Sequence, residues 1–209
     1  MGTKLVKSFV SGLAIWNFFL IFADKYGLLS QRGHVYVAYK YGLLSQSGNI
    51  HITIMEHKTI NITIKVCQPE ELEADERALV ETAAEATRYS YAKYSHFNVG
   101  AALLLENGEV IRGCNQENSA YSVTMCAERS ALFAAGARCP DVAPVMIAIA
   151  ARDENGLLEE PVTPCGSCRQ AMVETELRYG RKLRILLYGT KYVYVLDGIE
   201  SLMPLSFTL

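Results

Sequence analysis

From residue 69 onward the apolar positions of the chain fall into two alternating periods. Leu72, Leu79, Val80, Ala83 and Ala86 recur at helical spacing behind Pro69, Glu70 and Glu71. A fixed proline φ and acidic charge both suit a helix start, so a first helix is predicted from there to about Tyr91. Two β-prone apolar runs follow, Phe97 to Leu105 and Glu109 to Asn115, parted by Glu106, Asn107 and Gly108. Asn-Gly between two such runs is a turn signal, and the pair is predicted to form a hairpin. Cys126 to Arg138 is alanine-rich and helical, Val145 to Ala151 is a short apolar strand, and Cys165 to Tyr179 is helical again. Leu183 to Tyr188 and Tyr192 to Leu196 are two further strands, parted by Gly189. The order predicts an α/β layered domain, with helices packed on a mixed five-stranded sheet.

The N-terminal quarter reads differently. Lys4 and Lys7 precede an uncharged run from Ser8 to Ala23, rich in Leu, Ile and Phe, that resembles a signal peptide. Its 16 residues are short for a membrane span of about 20. Ala23 with Ile21 two before it makes a poor cleavage site. KYGLLSQ occurs at 25–31 and again at 40–46, too few copies for a solenoid. Residues 1–54 carry five basic residues and one acid, +4, against a total of −2 for the chain, which leaves −6 for 55–209. Met55 opens a stretch, MEHKTINITIKV, that reads as an N-terminal strand leading into the first helix. The chain is therefore expected to comprise an extension, 1–54, either an over-extended start or a signal or membrane tether, and a single domain, 55–209.

With 209 residues, half of them hydrophobic, the chain can bury one good core. A net charge of −2 offers no basic field to hold a phosphate backbone, which turns attention from nucleic acid to a small substrate. Six cysteines are too few for a disulfide scaffold, and the two-residue gap between Cys165 and Cys168 is that of metal or redox sites in a reducing cytoplasm.

Three of those cysteines stand at predicted helix starts, Cys126 in TMCAERSA and Cys165 and Cys168 in PCGSCRQ. The dipole and free N–H groups of a helix start stabilise thiolates, and hence zinc binding. A structural zinc site closes with four protein ligands, whereas three leave a position for water, and three are counted here. Glu128, two residues beyond Cys126, is placed for the proton shuttling that hydrolysis at such a metal requires.

These residues, with FNVGAALL at 97–104, GCNQENSAY at 113–121 and CAER at 126–129, make the chain from about Met55 to its end resemble a homotetrameric cytidine deaminase with an all-cysteine zinc site. The resemblance implies the three-layer cytidine deaminase-like fold and one Zn²⁺ per subunit. It also implies hydrolysis of cytidine and deoxycytidine to uridine and deoxyuridine in pyrimidine salvage, with hydroxide held on zinc adding to C4. On the same ground Glu128 carries the protons, Cys126, Cys165 and Cys168 hold the metal, and Arg129 hydrogen-bonds the thiolates. Ala127 and Cys165 offer backbone N–H groups to the reacting oxygen and the carboxamide edge. Asn115 and Glu117 grip the ribose hydroxyls and Phe97 lies against the base. LMPLSF at 202–207 resembles the family ending whose phenylalanine, here Phe207, reaches a neighbouring subunit's site, although Leu205 stands where glycine is common.

Simpler readings stand beside these. Cys67, Cys114 and Cys139 read as small buried hydrophobes, Phe97 could serve only the core, Arg129 only a helix surface and Glu117 only a turn. His57 and His96 lie in no motif with metal spacing and read as exposed histidines. Three other functions compete. A nucleoside-antibiotic deaminase of the blasticidin S type is disfavoured by the Asn-x-Glu pair. A non-enzymatic zinc module would recruit Cys139 or Cys114 as a fourth ligand. An editing deaminase would need a basic surface for phosphates, which the −6 of residues 55–209 disfavours. The expected setting is cytoplasmic, without nucleic acid, and without membrane unless 8–23 act as an anchor.

Overall fold

A computed structural model describes residues 59–209 of the chain. The signal-like run 8–23, the repeat at 25–31 and 40–46, and Met55 lie outside the described residues.

Seven strands and three α-helices form the domain. The strands are β1 (Lys65–Cys67), β2 (Asn98–Leu105), β3 (Val110–Cys114), β4 (Pro144–Asp153), β5 (Gly156–Leu157), β6 (Arg184–Tyr188) and β7 (Val193–Asp197). The helices are α1 (Ala74–Ala86), α2 (Ala127–Arg138) and α3 (Gly166–Tyr179). The sheet runs β1-β7-β6-β4-β2-β3, with β5 on β4. Only β4 and β6 are parallel, joined by a crossover through α3, and every other pairing is antiparallel.

The five strands expected from the sequence are all present, and the sheet gains two. β1 takes Lys65 and Val66, the last two residues of the stretch read as an N-terminal strand, with the Cys67 that follows, and pairs to β7 as Lys65 to Val195 and Cys67 to Val193. β5 is a two-residue strand folded back on the end of β4 through Arg152 to Leu157. Two residues at Gly156 carry no apolar period, so nothing in the pattern marks them. The long first helix also divides. Pro69–Glu71 is a 3₁₀ turn, α1 starts behind a capping box of Glu73 and Glu76, and a second 3₁₀ turn at Thr87–Tyr89 ends it.

Alternation along the strands builds two cores. Ala101, Leu103 and Leu105 of β2, Ile147 and Ile149 of β4 and Ile185 and Leu187 of β6 face α2 and α3. Ala102, Ala148, Ala150, Leu186, Val193 and Val195 face α1, through its Leu79, Val80 and Ala83. Opposite-facing neighbours along a strand put the helices on both sides of the sheet, which is the three-layer arrangement. Two glycines let the helices come close. A Cβ on Gly100 would lie 2.2 Å from Ala83 O of α1, and one on Gly113 would lie 2.3 Å from Ala127 O of α2. Among the described residues no helix is long and apolar enough to cross a membrane.

Candidate active site

α2 and α3 lie side by side on the same face, and both begin with a cysteine in the extended backbone conformation of an N-cap, Cys126 and Cys165. Cys168 lies in the first turn of α3 and is fully buried. The expected helices therefore begin one residue later than their motif cysteines. That shift puts the sulfurs at the mouths of both helices, where unpaired N–H groups gather.

The three sulfurs lie within 4.8 Å of one another. Cys165 Sγ is 3.4 Å from Cys168 Sγ and 3.8 Å from Cys126 Sγ. Ligands about 2.3 Å from a tetrahedral zinc stand about 3.8 Å apart, so the cluster fits that ion with little adjustment. Among the described residues it is a three-ligand group, which leaves a coordination position for water or substrate. Cys139 bonds instead to Glu109 at 3.2 Å, and Cys114 to the Tyr89 carbonyl at 3.3 Å. Neither serves as the fourth ligand that a closed structural site would need.

Electrostatics at the cluster favour an anionic sulfur at Cys126. A hydrogen bond from Cys168, with others from Arg129 and Cys165, holds the Cys126 thiol down to about 5. Cys168 carries the proton of that shared bond and, being buried, is pushed up. Arg129 Nη2 lies 3.7 Å from Cys126 Sγ, and the bond raises its own affinity for its proton. Glu128 is only 4% exposed in the first turn of α2. Burial first, and then the Cys126 charge, raises its pKa above the usual carboxylate range.

The second group of residues is tied to the first by the backbone. Gln116 N donates to Met125 O at 2.8 Å and Met125 N returns a bond to Gln116 O at 3.0 Å, so Asn115 and Glu117 flank a residue paired next to Cys126. On the other side Tyr91 N donates to Asn115 O at 3.0 Å and Glu117 N to Tyr91 O at 2.8 Å. The side chains then organise the segment before β2. Asn115 Oδ1 accepts from Val99 N at 2.7 Å and its Nδ2 donates to Phe97 O at 3.0 Å. Glu117 Oε2 accepts from Tyr94 N at 2.7 Å and Ser95 N at 3.3 Å. The Ser95 side chain and the Tyr94 N–H lower the pKa of that carboxyl. Phe97 stays 38% exposed. His96 just before it adopts a φ of 56°, a conformation uncommon outside glycine that turns the chain into β2. Glu117 also lines a hollow of about 370 Å³ with Tyr94, Ser95, Tyr121 and Thr124.

Ala127, wholly buried, is the first residue of α2. Phe207 is not brought into this chain's own cluster. It stands 69% exposed in the C-terminal tail, with its carbonyl accepting from Gln170 Nε2 at 2.8 Å. The sequence reading missed Gln170, and with it Arg169, whose guanidinium meets Pro164, Leu202 and Thr163. The spacing that draws attention to Cys165 and Cys168 gives no signal for such backbone acceptors.

The family model for the cytidine and deoxycytidylate deaminase zinc-binding region matches residues 73–179, which contain all three cysteines and Glu128. The chain belongs to this deaminase family. Over 103 residues, 48% of this chain and 71% of the relative, it is 48% identical to a cytidine deaminase of Halalkalibacterium halodurans. It is 45% identical to one of Sporosarcina psychrophila over 103 residues, 69% of that protein. Its structure is similar to the crystal structure of cytidine deaminase from Burkholderia pseudomallei, at a TM-score of 0.53 and 37% identity over 62% of this chain and 97% of that one. The cytidine deaminase structure from Mycobacterium tuberculosis matches at 0.51, with 29% identity over 66% of this chain and 100% of that one. As a deaminase of this family the chain is a zinc-dependent hydrolytic enzyme, and the three-sulfur cluster could hold a metal ion.

Proposed function

We propose that this chain hydrolyses cytidine and deoxycytidine to uridine and deoxyuridine with release of ammonia. The observation that carries the reading is the pairing of a three-sulfur cluster, open at its fourth position, with a buried glutamate in the first turn of the helix that Cys126 caps. Cys126, Cys165 and Cys168 would hold zinc, which would supply a water acidic enough to act as nucleophile near neutral pH.

The residues around it supply the rest. Glu128, whose burial strengthens its hold on a proton, takes one from the attacking water. It passes that proton to N3 of the pyrimidine, then takes the second proton from the hydroxyl now on C4 and hands it to the 4-amino group, which leaves as ammonia as the C4–N bond breaks and the C4 carbonyl forms. The backbone N–H groups of Ala127 and Cys165, at the starts of α2 and α3, hold the developing oxygen charge and the carboxamide edge. Three thiolates alone would blunt the metal's pull on water, and Arg129 beside Cys126 offsets part of that charge with the two helix dipoles.

Asn115 and Glu117 have two tasks. Their bonds to the 94–99 segment occupy Oδ1, one N–H of Nδ2 and Oε2. The second N–H of Asn115 and Oε1 of Glu117 are left to take ribose hydroxyls, while Phe97 meets the base. Free cytosine would leave those groups without partners, so a nucleoside is the substrate.

The working assembly is a homotetramer. Phe133, Ala134 and Ala137 make an exposed, uncharged face on α2, and Phe207 extends from the chain to contact a neighbour's substrate. Residues 55–209 form the catalytic domain, and 1–54 are an extension it does not need for turnover. All six cysteines are free thiols, in keeping with a cytoplasmic setting.

Ammonia release from cytidine, deoxycytidine, cytosine and blasticidin S, with zinc measured on the same protein, tests the reading. Turnover of both nucleosides with about one zinc per chain is expected. Turnover of blasticidin S alone, or zinc with no turnover of any of the four, would overturn it.

A further inference from the structure

Arg169 directly follows the buried Cys168, and each nitrogen of its guanidinium donates a hydrogen bond. Nε donates to Pro164 O at 2.8 Å, Nη1 to Leu202 O at 2.8 Å and Nη2 to Thr163 Oγ1 at 3.2 Å. These acceptors belong to two separate segments, the loop that enters Cys165 and the C-terminal tail. The next residue extends the join, with Gln170 Nε2 on Phe207 O at 2.8 Å. Helix geometry locks the other side, as Arg169 N donates to Cys165 O at 2.9 Å.

We infer that Arg169 is a positioning residue of the deaminase site, which fixes the Pro164–Cys165 peptide and anchors the tail in one clamp. In a trans peptide the C=O and N–H point to opposite sides, and no peptide bond in the described chain is cis. With Pro164 O drawn to Arg169, the Cys165 N–H is turned away from it, and the ligand's own φ and ψ are fixed along with it. A cationic donor on the carbonyl also polarises the peptide, which strengthens its N–H as a donor. A planar fork is needed for three acceptors lying in different directions, and a lysine ammonium on a flexible stem does not replace it. The kinetic consequence rests on the deaminase reading; the hold on the metal does not.

Arg169→Lys, Thr163→Val and Arg178→Lys, compared with the unaltered chain, test this. Arg178, also on α3, bonds Pro140 O at 2.9 Å away from the cluster and serves as the control. Four quantities are read on each: bound zinc, the rate at which a chromogenic chelator withdraws it, kcat and KM for cytidine, and the melting temperature. Arg169→Lys should bind about one zinc, lose it at least about 10-fold faster and show kcat reduced about 10- to 100-fold. Thr163→Val should shift both in the same direction by about threefold, and Arg178→Lys should match the unaltered chain. If Arg169→Lys melts earlier but keeps the unaltered zinc-release rate and kcat, the residue is merely structural and the inference falls. If Arg169→Lys does not fold, an unchanged release rate in Thr163→Val overturns the inference. Should the unaltered chain bind zinc but deaminate nothing, the functional reading fails and the release rates alone decide the clamp.

Discussion

Asn115 holds Phe97 in place through the backbone, its Nδ2 donating to Phe97 O at 3.0 Å while its Oδ1 takes the N–H of Val99 at 2.7 Å. One side-chain amide thus spans the two residues on either side of Asn98, and the aromatic ring proposed to meet the base is aimed by the residue proposed to meet the ribose.

Asn115→Asp keeps an acceptor for Val99 and removes the donor to Phe97, whereas Asn115→Ala removes both. An unsatisfied partly buried group costs about 1–3 kcal/mol, and each 1.4 kcal/mol is tenfold. KM for cytidine is expected to rise about tenfold in Asn115→Asp and further in Asn115→Ala, with zinc retained by both. Steady-state kinetics beside zinc analysis check this, and an unchanged KM in the alanine variant would separate Asn115 from the substrate.

Glu128→Gln preserves shape and hydrogen-bonding length at a site only 4% exposed, and removes the proton carrier. Fold and zinc should persist while kcat falls by about 10² to 10⁴. A fall of less than about tenfold would assign the shuttle to another group.

The sequence carried the metal cluster in full because its signal is local. Cys165 and Cys168, three positions apart, share the start of one helix, and Cys126 and Glu128 stand together at the start of another. The five long strands were legible for the same reason, an apolar period over several residues. β5 was not, since two residues at Gly156 have no period. Contacts between distant segments were also hidden. Arg169 reaches Leu202 across 33 positions, and Glu117 reaches Tyr94 across 23, through backbone groups that every residue possesses and no motif marks.

Glu76 joins the first turn of α1 to the sheet. It is 4% exposed, accepts from Glu73 N at 3.1 Å through Oε2, and receives Arg184 of β6 at 2.6 Å through Oε1. Arg184 turns its other arm to Asp197, which is largely exposed. Glu76→Ala removes the cap and leaves Arg184 a third exposed beside a solvated partner only, so the loss should be about 3 kcal/mol of unfolding free energy. Asp197→Ala, on the outer side of the same arginine, should cost under about 1 kcal/mol. Urea unfolding of both variants checks the ranking, and equal losses would contradict it.

Gly113 and Gly100 lie under different helices and make a matched pair. A Cβ on Gly100 meets Ala83 O at 2.2 Å and Thr87 N at 2.5 Å, at the C-terminal end of α1 and away from the sulfurs. A Cβ on Gly113 meets Ala127 O at 2.3 Å and Ala131 N at 2.6 Å, on the first turn of the helix that Cys126 caps. Backbone cannot yield as the end of a flexible side chain can, so either Gly→Ala change must shift a helix and should cost on the order of 1–3 kcal/mol of stability. The consequences for the metal differ. Lifting the start of α2 moves Cys126 and Glu128 relative to Cys165 and Cys168, which stand on α3. Gly113→Ala is therefore expected to weaken zinc binding at least tenfold and to lower kcat. Gly100→Ala should melt earlier by a similar amount while keeping zinc affinity within about threefold of the unaltered chain. Zinc competition with a chelator of known affinity, read beside thermal melting, separates the two effects. If both variants lose zinc equally, the metal site depends on the stability of the whole domain rather than on how closely α2 rests on β3.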